Sequence, residues 1–162
     1  MIKMSDTFHT TTEQIVVFTL DELQYALTLN TVVRVIHAVE IRPLPKAPEI
    51  ISGIINVQGQ VIPVIDTRKR FGLAEREIEI DDHMIISDTG KRIVALLADA
   101  VNGIRKLEPG QLNPAGETLH FAKYLKGVAK TGDGIILIYD LEQFLSLDEE
   151  KILEKALKAK TR

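Results

Sequence analysis

The apolar and polar positions of this chain follow the pattern of short strands separated by turns. Two apolar runs, Ile54–Val57 and Val61–Ile65, lie on either side of Gly59. β-Branched residues on both sides of a glycine that tolerates positive φ predict a tight hairpin. Neither run alternates cleanly between apolar and polar, so we expect protein on both faces of this hairpin. Pro63 has no N–H to donate, which predicts that the second strand lies at an edge or a bulge.

The same signals recur along the rest of the chain. Ile15–Leu20 and Leu23–Leu29 are strand-like, and the alternation within the second run predicts a half-buried strand. Val32–Ile36 fits either one helical turn or a further strand, because most of its residues are β-branched. The charged stretch Ala74–Asp82 is expected to be a surface link between two lobes. Further hairpins are predicted for Met84–Ser87 with Arg92–Ala98, and for Leu125–Ala129 with Ile135–Tyr139.

A helical pattern appears at the end of the chain, after many short strands with a turn roughly every ten residues. The strands predict an all-β barrel or sandwich. Ser146 and Glu149 then fit a capping box for a helix over Leu147–Lys160. We expect this helix to pack on the barrel rather than on a partner, because an amphipathic face usually docks within its own fold. Its apolar stripe consists of Ile152, Leu153, Ala156 and Leu157.

Composition limits the classes of protein that remain. A length of 162 residues suits one domain or two small lobes that share a core. The net charge of −3 is too small to indicate a polyanionic partner such as nucleic acid, and the absence of cysteine excludes disulfides and thiolate metal sites. Residues 1–14 form a polar leader without the apolar run of a signal peptide, and no stretch has the length of a membrane helix. A soluble intracellular protein is therefore expected.

Residues with catalytic or metal-binding chemistry are sparse. The four histidines lack the spacing of a helical metal pair, and Asp81, Asp82 and His83 favour a surface turn over a metal site. The sequence has no nucleophile elbow, phosphate-binding loop or dinucleotide fingerprint. The basic triplet Arg68–Arg70 is interpreted as a solvated face. We expect a binding module that is not an enzyme and holds no cofactor or metal. The alternative from another class is a barrel that binds a small molecule or carries an unrecognised hydrolase site.

The central hairpin and several later segments together carry a family pattern. The most specific matching residues are Pro48, Gly53, Ile54, Asn56, Gly59, Ile62–Val64, Asp66, Arg68 and Phe71. Weaker matches, in the right order, are Phe18–Leu20, Tyr25–Leu27, Asp99–Val101 before Gly103 and Ile104, and Tyr124–Val128 leading to Ile136, Leu137, Asp140 and Leu141. On these residues the chain, from roughly Ile15 to Leu145, resembles the CheW adaptor family of bacterial chemotaxis.

The resemblance implies both a fold and a function. The implied fold is two intertwined five-stranded SH3-like barrels with short helices and a C-terminal amphipathic helix. Lobe one is expected at about residues 20–73, lobe two at about residues 82–145 together with the first strand, and the closing helix at residues 146–162. The implied function is that of a non-catalytic scaffold in the cytoplasm, at membrane-associated receptor arrays. It would couple the cytoplasmic tips of chemoreceptors to the histidine kinase CheA.

The implied assembly is a ring in which the adaptor alternates with the regulatory domain of the kinase, or assembles with itself. An adaptor of a non-chemotactic chemosensory pathway is the alternative. The kinase contact is expected at Ile41 and Gly53. A side chain at residue 53 would hold a partner's backbone away, and simple turn geometry is the equal alternative explanation for glycine there. The receptor hairpin is expected in a groove between the lobes, formed by Val32, Arg34, Val57, Gln58 and Gly59.

One pair of residues departs from the family's usual pattern. The family usually reads Asn-Leu-Arg-Gly where this chain reads Asn-Val-Gln-Gly at residues 56–59, and Arg34 occupies the position usually held by a glutamate. The family's ion pair thus becomes Arg34 with Gln58, an arginine that can donate to an amide. Glu40 is a candidate internal partner for Arg34, and a receptor acid is a candidate external one. We expect Arg34 to be a specificity residue for a divergent receptor, with neutral drift on an exposed patch as the alternative.

Overall fold

The computed structural model describes residues 13–113, 124–132 and 134–160 of the chain. Most of the polar leader, residues 114–123, one residue of the last predicted hairpin turn and the final two residues lie outside this description. The helices are α1 (Thr67–Arg70) and α2 (Leu147–Lys160), and short 3-10 turns cover Leu29–Thr31 and Leu141–Gln143. The strands are β1 (Glu13–Leu20), β2 (Leu23–Thr28), β3 (Val32–His37), β4 (Ile51–Val57), β5 (Gln60–Ile65), β6 (His83–Asp88), β7 (Ile93–Ala98), β8 (Ala100–Leu107), β9 (Leu112–Asn113), β10 (Leu125–Thr131) and β11 (Gly134–Tyr139).

The strands form two sheets, one for each of the two SH3-like barrels. The first sheet has the order β8-β1-β2-β11-β10-β9, and the second has the order β3-β6-β7-β5-β4. The predicted hairpins β4–β5, β6–β7 and β10–β11 are all present. Residues 32–36, for which the sequence allowed either one helical turn or a strand, lie in strand β3. The expected all-β fold class is confirmed, with the two-residue β9 as a sixth strand in the first sheet.

The strands are divided between the sheets differently from the expected lobe bounds. β6 and β7 lie beyond the link, in the residues expected for lobe two, yet they join the sheet of β3, β4 and β5. β2 lies in the residues expected for lobe one, yet it pairs with β1 and β11. The parallel pairs β5–β7 and β2–β11 account for this exchange, because each joins strands from different parts of the chain.

The edge alternative for β5 is wrong, because β5 lies between β4 and β7, and the edges of its sheet are β3 and β4. The bulge alternative fits better, because the register of the β4–β5 pair shifts close to Pro63. The sheet accommodates Pro63 because the pairing of β5 with β7 begins at Val64, after the proline. β2 is not half-buried at its centre, where Tyr25, Ala26 and Leu27 are all buried. Ala26 packs in a second apolar cluster, which the pattern of large residues did not reveal.

A shared core joins the two barrels. Its largest cluster takes side chains from both sheets, and the ring centroids of Phe71 and Tyr139 lie 4.0 Å apart within it. α2 adds Leu153, which is 0% exposed, to this cluster. The helix begins at the predicted capping box, where the Ser146 N–H donates to Glu149 Oε1 at 2.8 Å and the Glu149 N–H donates to Ser146 Oγ at 3.0 Å. The helix therefore packs within its own fold, as expected.

A cluster of ion pairs lies between the surface link and the two sheets. The interpretation of the basic triplet as a solvated face is wrong for Arg68, which is buried and lies 2.7 Å from Asp99 and 2.8 Å from Asp21. Arg76 in the link contacts the same Asp99 at 2.6 Å and Asp82 at 2.8 Å. We call these five residues the charged junction.

Candidate functional site

The candidate site is built around the turn between β4 and β5. Gln58 and Gly59 form this turn with φ values of 52° and 87°, and two consecutive positive values are typical of a type I′ hairpin. Asn56 stabilises the turn, because its Oδ1 accepts a 2.8 Å hydrogen bond from the Gly59 N–H. The hairpin tip lies beside β3, the strand that carries Arg34.

An open groove of about 290 Å³ lies between the hairpin tip and the neighbouring strands. Three of the five predicted groove residues line it: Arg34, Val57 and Gln58. Gly59 belongs to the adjoining turn, whereas Val32 packs against the shared core instead. The other lining residues are Val33, Gln60, Ile62, Ile86 and Ile93. Every lining residue belongs to the second sheet or its hairpin turn, so this groove lies on one barrel, not between the lobes as the resemblance implied.

Arg34 supplies the charge of this groove. Its side chain is exposed, and the remaining lining residues are five aliphatic side chains and two amides, with no acid. Within residues 13–113, 124–132 and 134–160, Arg34 forms neither an ion pair with Glu40 nor a hydrogen bond with Gln58. The internal partners that the sequence suggested are therefore not used. The groove combines apolar walls with a guanidinium that faces no carboxylate of the described chain.

Two apolar residues beside Arg34 were missed in the sequence reasoning. Val33 and Val35 are 55% and 38% exposed on β3, which is an edge strand of the second sheet. Exposed valines on an open strand edge provide an apolar contact surface. The signal was present in the sequence, because consecutive apolar residues in a strand point to opposite faces and cannot all reach one core.

The opposite edge of the same sheet is covered by the chain itself. Arg42 and Ile54 exchange two backbone hydrogen bonds, each 2.8 Å long, so the segment before β4 lies along that strand. A Cβ on Gly53 would overlap the Arg42 carbonyl oxygen and would lie 2.7 Å from Ile41 Cγ2. The close approach that requires glycine is therefore internal to the chain, in place of the partner's backbone that the resemblance suggested. The structure thus brings Ile41 and Gly53 together, with Gly53 buried beneath the covering segment.

The described residues contain no group of three or more histidine, cysteine, aspartate or glutamate side chains placed to hold a metal ion. Asp81, Asp82 and His83 accordingly do not converge, and Asp82 binds Arg76 instead. None of the helices in these described residues has the length and apolar character of a membrane span.

Known proteins share both sequence and fold with this chain. The model of the CheW-like domain family matches residues 14–149. The chemotaxis protein CheW of Thermotoga maritima is 31% identical over 142 residues, which cover 88% of each chain. The chemotaxis protein CheW of Klebsiella aerogenes is 26% identical over 152 residues, covering 91% of this chain and 90% of the relative. The crystal structure of the scaffolding protein TtCheW from Thermoanaerobacter tengcongensis aligns with a TM-score of 0.79 and 34% identity, covering 86% of this chain and 96% of that chain. On this shared sequence and fold, the chain belongs to the CheW family.

Proposed function

We propose that this protein is a non-catalytic scaffold that couples the cytoplasmic tips of chemoreceptors to the histidine kinase CheA. The observation that carries the proposal is the match to the CheW-like family model over residues 14–149. It is supported by similarity to chemotaxis proteins and to a solved scaffolding protein. A scaffold needs separate surfaces for its partners, and the second sheet offers two different edges. Binding to receptor tips would keep the protein in the cytoplasm, at membrane-associated receptor arrays.

The open edge, β3 with the adjoining groove, is proposed as the receptor contact. A helical partner binds where apolar walls surround a few polar anchors. The groove supplies Val57 among its walls, with Arg34 and Gln58 as anchors, and Val33 and Val35 provide exposed apolar surface on the same edge strand. Gly59 contributes by keeping the hairpin tip narrow, while Val32 supports β3 from the core.

The covered edge, β4, is proposed as the contact for the kinase's regulatory domain. Gly53 is buried, so the partner would meet Ile41 and the exposed Arg42 rather than the glycine itself. The proposed role of Gly53 is to let the covering segment lie flat on β4. Kinase binding would then depend on the glycine indirectly, through the position of that segment.

Two charge reversals on opposite edges test this division. We would measure co-sedimentation of Arg34→Glu and Arg42→Glu with receptor-containing membranes and, separately, binding to the purified regulatory domain of CheA. Each variant serves as the matched control for the other, because both replace an exposed arginine of the second barrel. We expect Arg34→Glu to lose the receptor and keep the kinase domain, and Arg42→Glu to do the reverse. A wild-type protein that binds neither partner would contradict the scaffold function.

A further inference from the structure

We infer that the groove at Arg34 recognises a helix whose apolar face carries a carboxylate, and that Arg34 pairs with this carboxylate. The inference rests on the proposed function, because the helix is taken to be part of the receptor tip. It specifies the chemistry of the partner, which the family match alone does not.

The walls of the groove are almost entirely uncharged. Val33, Val57, Ile62, Ile86 and Ile93 are apolar, and the amides of Gln58 and Gln60 carry no charge. Arg34 is the single charged residue among the lining residues. A partner that buries the apolar walls must therefore also cover or approach one unneutralised guanidinium.

Covering that guanidinium with a partner costs free energy unless the charge is paired. Removing a charge from water without a partner is expensive, so a helix with a wholly apolar face would be penalised at Arg34. The amides can accept hydrogen bonds from Arg34 but cannot neutralise it. A carboxylate offers two oxygens that match the planar fork of the guanidinium. A partner lysine or arginine at the same place would be rejected by like-charge repulsion.

Arg34 differs from several other arginines of the described chain. Arg68, Arg76 and Arg92 each lie within 3.0 Å of at least one carboxylate oxygen of the same chain. Arg34 forms no ion pair with any carboxylate of the described residues, including Glu40, which is six residues away in the sequence. A carboxylate of the partner would pair with Arg34 as these carboxylates pair with the other three arginines.

The test uses the full chain and the cytoplasmic-tip hairpin of a chemoreceptor encoded in the same genome. Affinity is measured by fluorescence anisotropy for wild type, Arg34→Gln and Arg34→Glu. We expect Arg34→Gln to weaken binding about threefold and Arg34→Glu about tenfold or more, because the second change adds repulsion. Lys130→Glu is the control, since Lys130 is an exposed cation on β10, outside the groove, and it should leave the affinity unchanged.

A charge swap identifies the partner residue. Each acid on the receptor tip is changed in turn to lysine, and one such change should restore binding to Arg34→Glu while weakening binding to wild type. Raising the salt concentration should narrow the difference between wild type and Arg34→Gln, because screening reduces the charge interaction. Equal affinity of wild type and Arg34→Glu for the receptor tip would overturn the inference and leave the proposed function standing. Failure of wild type to bind any receptor tip would overturn the receptor contact itself.

Discussion

Arginine occurs in opposite circumstances at the charged junction and at the groove. Arg68 is buried at the junction and shares Asp99 with Arg76, at distances of 2.7 and 2.6 Å. Arg34 is exposed at the groove and pairs with no carboxylate of the described residues. The junction arginines join segments of the chain to one another. Arg34 has no such role, which leaves its charge available to another molecule.

The protonation equilibria of the junction show how strongly its charges are coupled. Burial by itself would raise the pKa of Asp99. The hydrogen bond from the Asp21 N–H and the guanidiniums of Arg68 and Arg76 outweigh burial and hold that pKa below its ordinary value of 3.8. Hydrogen bonds to Asp82 and Asp99 raise the pKa of Arg76, so Arg76 and Asp99 both stay charged. The junction is therefore a structural element, and its acids and bases depend on one another.

The largest effect on stability is expected from Asp99→Ala, which removes the carboxylate that two arginines share. Arg68 would keep Asp21 and Arg76 would keep Asp82, so the cost should stay below that of a fully unpaired buried charge. We expect the free energy of unfolding in urea to fall by about 2 kcal/mol. Asp81→Ala is the control, since Asp81 is exposed, and it should cost less than about 0.5 kcal/mol. Equal costs for the two variants would mean that the junction does not stabilise the fold.

A smaller loss is expected from Arg92→Ala, which tests the pairing of α2 with the second sheet. Arg92 Nε lies 3.0 Å from Glu150, and Arg92 Nη2 lies 2.7 Å from Glu154. Glu154 is exposed, so most of the effect should come from Glu150, and we expect a loss of about 1 kcal/mol in urea unfolding. Lys91→Ala, which removes the neighbouring exposed cation, should cost less than about 0.5 kcal/mol.

Acid should weaken the junction through Asp99. A carboxyl group whose pKa is lowered by folding contributes stability above its unfolded pKa, and this contribution is lost as the pH falls through the folded pKa. The loss from Asp99 should therefore begin near its ordinary pKa of 3.8 and continue below it. Urea unfolding across that range should show a steeper decline for wild type than for Asp99→Ala. Parallel pH profiles would show that Asp99 is not coupled to the arginines.

Local signals explain why much of the fold could be predicted. Apolar runs beside turn residues fixed the β4–β5 and β6–β7 hairpins, and Ser146 with Glu149 marked the start of α2. Each of these features depends on residues close together in the sequence. The division of the strands between the two sheets was harder to predict, because the parallel pairs β5–β7 and β2–β11 join strands that are not consecutive.

Ion pairs were still harder to predict, because their partners are far apart in the sequence. Arg68 was predicted to be solvated because it lies in a basic triplet. Its partner Asp99 lies 31 residues away in the sequence, and only the folded chain brings the two together. For Gly53 the sequence left a partner's backbone and simple turn geometry as equal explanations, but the segment that approaches it is the chain's own Ile41 and Arg42. For Arg34 the sequence identified the unusual charge and its proximity to Gln58. It did not show that Glu40 leaves that charge unpaired.

The smallest effect on stability is expected from Arg34→Ala, and it separates the two kinds of arginine most directly. An exposed guanidinium without a partner gains little from the fold, so urea unfolding should change by less than about 0.5 kcal/mol. Binding to the receptor tip should nevertheless weaken, while Lys130→Ala should alter neither property. A stability loss above about 1 kcal/mol would place Arg34 among the residues that hold the fold together, since surface changes away from such contacts rarely cost so much. Unchanged stability together with weakened binding would show that Arg34 contributes to partner binding and not to folding.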